Sequence, residues 1–373
     1  MKDMRAGTVL PMPFDAHVHL RQGRILKHVL PATARDFGRA IVMPNTKPAV
    51  WNADTVRAYR EEILECAPHG FEPLMTIYLT QQTTPEVILA AGKAGAVAAK
   101  FYPKHGTTNS DDGLVPEFFL AQSDWFAALE EAGMVMCIHA EHPKHIKARR
   151  EHEFLKLFVD SRLPERFPKL RFVIEHVSTA YGLQVVSESD NVAGSVTAHH
   201  LVLTDDDVMG NHLNLCMPVA KSARDRSALR EAVFQGNSPR IFFGSDSAPH
   251  QLSAKSKPEG SYGIYTAPIA LKLLAQEFAN ASRSNNLSSF VSSYGPAYYR
   301  LPEEKRVSEV VAEPFHVLDP RSEPALMEPV RDPSAEVDED AKTDPPPPGD
   351  RLTDPIIPFY AGRAIHWSVR YDR

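Results

Sequence analysis

A chain of 373 residues with 43% hydrophobic composition can bury a full core, and its length suits one barrel-sized domain as well as two smaller ones. No run of about 18 apolar residues occurs, and Met1 to Thr8 lack a signal-peptide core, which argues against a membrane-spanning helix and for a cytoplasmic protein. The net charge of -6 argues against nucleic acid as the main partner, and Cys66, Cys137 and Cys216 fit neither a disulfide framework nor a CxxC zinc module, so they read as reduced core residues.

From residue 14 to 246, short apolar runs alternate with polar loops and helix-like stretches. Strands are predicted over 14–20 and 39–44, followed by a helix over 53–66 that Asn52 can cap. Then come a strand over 73–79, a helix over 85–93, a strand over 96–102 and a helix over 117–131. The alternation continues with strands over 135–140, 171–177, 192–200 and 241–246 and helices over 144–158, 180–188 and 222–234. Eight strands alternating with helices predict a closed (β/α)8 TIM-type barrel, with a doubly wound open sheet as the alternative.

The composition changes at Asp319. Between Asp319 and Asp354 stand 11 acidic and 4 basic residues and eight prolines, with no aromatic residue, so the rest of the chain is near neutral. Such a segment cannot bury enough apolar surface to offset its ordering entropy and is expected to be a disordered insertion. Strand-like character returns at 356–360 and 364–369. The predicted organisation is therefore a barrel over 1–318, an insertion over 319–354 and a C-terminal element over 355–373 that packs back on the barrel.

Metal-binding residue types gather at the ends of these strands, the face where barrel enzymes place their chemistry. His17 and His19 are two apart on the first strand and share one side. Lys100 sits among small apolar residues, where an ammonium is costly to bury; either its head reaches water or it reacts as the neutral amine with carbon dioxide to give a metal-bridging carbamate. His139 and His176 each follow an apolar run, and Asp246 follows the last one. Four histidines, a lysine and an aspartate on five strands suit two zinc ions bridged by a carboxylated Lys100 and a hydroxide. His199 and His200 read as hydrogen-bonding support. No phosphate loop of the GxxxxGK[ST] type and no HExxH helix competes with this cluster.

The stretches Asp15-Ala16-His17-Val18-His19-Leu20-Arg21, Met43-Pro44-Asn45-Thr46, Lys100-Phe101-Tyr102-Pro103, Thr107-Thr108-Asn109-Ser110, Thr197-Ala198-His199-His200-Leu201 and Gly244-Ser245-Asp246-Ser247-Ala248-Pro249-His250 resemble the dihydroorotases of the amidohydrolase superfamily, of the shorter stand-alone type of bacteria and fungi. That resemblance implies that His17, His19, carboxylated Lys100 and Asp246 hold one zinc, and Lys100, His139 and His176 the other. It implies that Arg21, Asn45 and His250 bind the substrate carboxylate, that Thr107 and Thr108 lie on a mobile loop that closes over substrate, and that Ala267 makes a backbone contact to it. The implied small-molecule substrates are N-carbamoyl-L-aspartate and L-dihydroorotate, with Asp246 moving the proton between water and the amide nitrogen. A homodimer is implied as well. The stretch 319–354 departs from the family pattern. Another cyclic amidase, such as a hydantoinase, and a catalytically silent binding scaffold are the competing readings.

Overall fold

The computed structural model describes residues 8–257, 260–313, 315–317, 319–321 and 354–371. Eight strands follow one another in chain order around a single sheet: β1 (Phe14–Val18), β2 (Arg39–Val42), β3 (Glu72–Tyr78), β4 (Ala96–Phe101), β5 (Val135–Ile138), β6 (Arg171–Ile174), β7 (Val192–Val196) and β8 (Ile241–Phe243). Each pairs in parallel with the next. Beyond the end of β8, Ser247 forms a parallel bridge to Val18. The His19 N–H donates to the Ser247 carbonyl at 3.0 Å, and the Asp246 N–H to the His17 carbonyl at 2.8 Å. These bonds join the last strand to the first, so the sheet is a barrel and the open doubly wound alternative falls.

Alternation along the strands sorts apolar side chains into two layers. Phe14, Ala16, Ile41, Ala98, Val173 and Phe242 fill the barrel interior, which Tyr299 plugs from the helix Tyr294–Tyr299 with its ring 5.9 Å from Phe14. Gly295 is required there, because a Cβ would come within 2.7 Å of the Phe14 ring. Val42, Ile77, Phe101, Ile138 and Val196 face outward onto the helices.

Several helix starts follow from local chemistry. Asn52 and Thr55 form a capping box at Ala53–Cys66, while Thr84, Thr179 and Ser222 each accept a backbone N–H at the starts of Pro85–Lys93, Ala180–Glu188 and Ala223–Gln235. The stretch expected as one helix over 117–131 is two, Pro116–Leu120 and Ser123–Ala132. The one expected over 144–158 starts as a 3-10 turn at Lys147–Arg149 before Arg150–Ser161.

Strands end one to four residues earlier than the apolar runs suggest, for example at Ile174 rather than 177 and at Val196 rather than 200. The residues beyond turn over the barrel mouth. His176 and Asp246 take φ values of 40° and 43°, which no extended strand accommodates.

The C-terminal part returns to the body. Thr8–Pro11, Val307–Val311 and Ser368–Tyr371 form an antiparallel sheet with Val307–Val311 in the middle. The Phe359 N–H donates to the Tyr265 carbonyl, and Phe359, Ile365 and Trp367 are buried. Within the segment 319–354, residues 322–353 lie outside the described residues. Its flanks meet, since Val317 exchanges backbone hydrogen bonds with Gly362 and Arg363. All three cysteines are free, with Cys137 and Cys216 buried. Among the described residues no helix is long and apolar enough to cross a membrane.

Candidate active site

The two histidines of the first strand reach the barrel mouth through a change of phase. The β1–β2 register shifts between Asp15 and Val18, so Ala16 faces the interior while Val18 joins the outer layer, and His17 and His19 on either side of Val18 both turn toward the cavity. Asp15 fixes this bend, accepting the His17 N–H at 3.0 Å and the Ser245 N–H at 2.8 Å with one carboxylate oxygen. Burial pushes the Asp15 carboxyl up to about 7 against the pull of those bonds.

His17 Nε2, His19 Nε2 and Asp246 Oδ1 form a triangle with sides of 3.3, 3.1 and 3.3 Å, a spacing suited to donors turned toward one cation. His17 is set by its other nitrogen, since Nδ1 lies 2.8 Å from Glu175 Oε2, which also accepts the Ser195 hydroxyl at 2.6 Å. Burial opposes charge on Glu175, yet Lys100 and His17 hold it down at about 2, so it is an anion that keeps the His17 proton on Nδ1 and leaves Nε2 as a lone-pair donor. His139 is held in the opposite sense: its Nε2 lies 2.8 Å from Glu141 Oε2, which leaves Nδ1 for the site. The His176 ring lies 4.7 Å from that of His139 and 5.1 Å from that of His17.

Lys100 lies close to these donors. Its side chain is fully buried, and Nζ has no hydrogen-bond partner among the described residues. Burial lowers its pKa, which favours the neutral amine. His176 Nδ1 and His19 Nδ1 are likewise buried without a partner. A buried amine and imidazoles with unpaired nitrogens make a costly arrangement by themselves, and a lysine carbamate with metal ions would use Lys100 Nζ, His176 Nδ1 and the Nε2 atoms of His17 and His19. The residues present therefore fit a metal centre.

The cavity above is walled by His17, His19, Arg21, Asn45, Tyr102, Thr107, Thr108, His139, His176, Met217, Asp246, Ala248, Tyr262 and Gly263. Arg21 donates from Nε to the Pro249 carbonyl at 3.1 Å, which aims the rest of its guanidinium, and its Nη2 lies 3.1 Å from His250 Nε2. His250 itself stands behind Gly263 in a neighbouring pocket with Lys255. Burial, reinforced by Arg21, pushes the His250 pKa down to about 2, so the ring is neutral. Ala267 is one layer back, with its N–H donated to Ser247 Oγ at 2.9 Å.

The loop from Pro103 to Leu114, whose ends form a bridge, lies down over the cavity. Asn45 Nδ2 donates to the Thr108 carbonyl at 3.0 Å, and the Thr108 hydroxyl meets the Tyr262 carbonyl at 3.1 Å. At the end of β7, His200 bonds Thr197 and the Pro218 carbonyl, whereas both ring nitrogens of His199 are buried without a partner among the described residues. Sequence reasoning missed Asp15, Glu141, Glu175 and Ser195 as supports, and Tyr102, Met217, Ala248, Tyr262 and Gly263 as walls. Only Asp15, Glu141 and Glu175 carried a signal, a carboxylate one or two residues from a candidate ligand.

A family model, the Amidohydrolase family, matches residues 8–305. A dihydroorotase of Halorhodospira halophila is 42% identical over 330 residues, covering 86% of this chain and 94% of its own length. A dihydroorotase of Pseudoalteromonas atlantica is 38% identical over 369 residues, covering 97% and 98%. The crystal structure of dihydroorotase from Saccharomyces cerevisiae in complex with 5-fluoroorotic acid matches with a TM-score of 0.86 at 30% identity, over 98% of this chain and 99% of that one.

Proposed function

Because the chain belongs to the amidohydrolase family and, within it, to the dihydroorotases, it is a cyclic amidohydrolase of pyrimidine biosynthesis, and we propose which of its residues carry each part of the interconversion of N-carbamoyl-L-aspartate and L-dihydroorotate. The observation that carries the assignment is the Lys100 amine, buried with no hydrogen-bond partner among the described residues and close enough to His17, His19, His176 and Asp246 to act on their charge, beside a cavity that Arg21 helps to line.

His17, His19, Asp246 and Lys100 as its carbamate hold one zinc; Lys100, His139 and His176 hold the other. When bound, the ions supply Lewis-acid activation of the amide carbonyl and of water at neutral pH. Asp246 takes the proton that the attacking water gives up and passes it to the leaving amide nitrogen; ring closure runs the same transfers backwards. Burial pushes the Asp246 carboxyl up, which suits a group required to gain a proton.

Arg21, Asn45 and His250 bind the substrate carboxylate, the arginine by a charge-assisted fork and the other two by single hydrogen bonds. Thr107 and Thr108 cover the bound substrate and exclude water, and Ala267 makes a backbone contact to the substrate. The reading extends to a homodimer in the cytoplasm, with a barrel over 1–318, an insertion over 319–354 and a C-terminal element over 355–373.

Arg21→Met separates this reading from a hydantoinase. The variant is expected to raise KM for L-dihydroorotate, and unmodified protein should act poorly on hydantoin and dihydrouracil, which lack the carboxylate. Unchanged kinetics for L-dihydroorotate in the variant, or preferred turnover of the neutral rings, would contradict the assignment.

A further inference from the structure

We propose that His199, His200 and Cys216 form a separate thiophilic metal site that takes Zn2+ independently of the six ligands assigned above. Their donor atoms lie within 4.8 Å of one another, and all three residues are buried. His200 Nε2 is 4.0 Å from Cys216 Sγ, and the two histidine rings are 4.6 Å apart. On a tetrahedral zinc with bonds of about 2.0–2.3 Å the donors stand about 3.3–3.8 Å apart, so closure asks for small side-chain shifts.

His199 provides an independent sign of a ligand. It is 0% exposed, and neither ring nitrogen meets a partner among the described residues. A neutral imidazole has one donor and one acceptor, and burying it with neither used is costly. The other two residues are held with their protons on: His200 Nε2 and Cys216 Sγ both point to the Pro218 carbonyl, at 3.0 and 3.3 Å.

Metal binding exchanges those protons in a balanced way. The thiol gives one proton to solvent as the zinc–sulfur bond forms. The His200 ring stays neutral, its proton moving from Nε2 to Nδ1, where Thr197 Oγ1 stands 2.9 Å away to accept it. The freed Nε2 lone pair then takes the metal. One thiolate with two imidazoles prefers Zn2+ or Co2+ to Mg2+ or Ca2+, and three protein ligands leave a fourth position for water. None of the six assigned ligands carries sulfur, and none comes from β7, so this site has its own spectroscopic signature.

The test is titration with Co2+ of the full chain holding two equivalents of Zn2+, read as thiolate-to-cobalt charge-transfer absorption in the near ultraviolet, together with metal analysis after loading with excess Zn2+. The expected result is a near-ultraviolet band with about one further metal equivalent per chain. Cys216→Ser should abolish the band, His199→Gln should weaken Co2+ binding at least about tenfold, and Cys66→Ser should leave the band in place. Absence of the band on the unmodified protein, or its survival in Cys216→Ser, overturns the proposal. The measurement on unmodified protein needs no turnover and no variant, so neither a misfolded mutant nor a different substrate can stand in for failure of the site.

Discussion

His17 shows how much a single side chain in this site depends on its neighbours. Its Nε2 faces the triangle only because Glu175, held as an anion by Lys100 and His17, takes the other nitrogen. Glu175→Gln should therefore lower zinc affinity by about 10–100-fold, measured by chelator competition, while the far-ultraviolet circular dichroism stays native. Zinc retention equal to that of the unmodified protein would remove Glu175 from the support of the site. Asp246→Asn is expected to cut kcat in both directions by roughly 10^2–10^4-fold, since an amide cannot accept the proton. The ligand types were legible in the sequence at this scale, because His-x-His and histidines after apolar runs stand out. The purpose of Lys100 was not: a lysine at a strand end reads equally well as a side chain whose head reaches water, and only its complete burial without a partner distinguishes the two.

At the scale of elements, the loop from Pro103 to Leu114 is held down by a small number of bonds, of which the Thr108 hydroxyl to Tyr262 can be removed without touching the metal ligands. Thr108→Val should raise KM several-fold, consistent with about 1 kcal/mol for a lost hydrogen bond, with kcat less affected. Steady-state kinetics for L-dihydroorotate would check this; an unchanged KM would mean that the bond does not hold the loop in solution.

Elsewhere, Asp36 at the end of helix Gly23–Asp36 accepts from Lys272 Nζ of helix Ala270–Asn280 and from Arg35 Nε, each at 2.8 Å. Burial opposes the charge, but Arg35 and Lys272 hold the Asp36 carboxyl down at about 2, and burial lowers Lys272 to about 8, so both partners are charged at neutral pH. With the folded carboxyl below its unfolded value of about 3.9, the Asp36 contribution is whole above about pH 4 and is lost as pH falls toward 2. Lys272→Met should cost about 1.5–3 kcal/mol at pH 7 in denaturant unfolding by removing one of the two cations bonded to the carboxylate, and the penalty should shrink below pH 4. A penalty that persists at low pH would assign it to packing instead. The start of helix Ala53–Cys66 was readable from Asn52, whose side chain caps it, and Thr84, Thr179 and Ser222 cap their helices in the same way. Strand ends were not, because Val177 past Ile174 and the small Gly244 and Ser245 past Phe243 prolong a strand-like pattern while the backbone turns to carry His176 and Asp246.

For the whole molecule, the periodic alternation of strand and helix specified the barrel, but closure depends on the Val18–Ser247 pairing, which no local pattern announces. The C-terminal element is the part whose location least followed from sequence, since its partners are distant: Ser368–Tyr371 pairs with Val307–Val311, and Phe359 meets Tyr265, three residues beyond a wall of the cavity. Truncation after residue 353 removes buried Phe359, Ile365 and Trp367, worth roughly 1.5–3 kcal/mol each. The truncated chain should melt at lower temperature and lose affinity for L-dihydroorotate as the Tyr262 segment loosens; an unchanged melting temperature and KM would show the element to be dispensable. The most direct test of the whole reading is to assay ring closure of N-carbamoyl-L-aspartate at mildly acidic pH and ring opening of L-dihydroorotate at alkaline pH, with zinc analysis on the same preparation. Turnover in both directions with at least two zinc per chain is the expected result; bound zinc with no turnover of either compound, or neither zinc nor turnover after loading with zinc and bicarbonate, would contradict it.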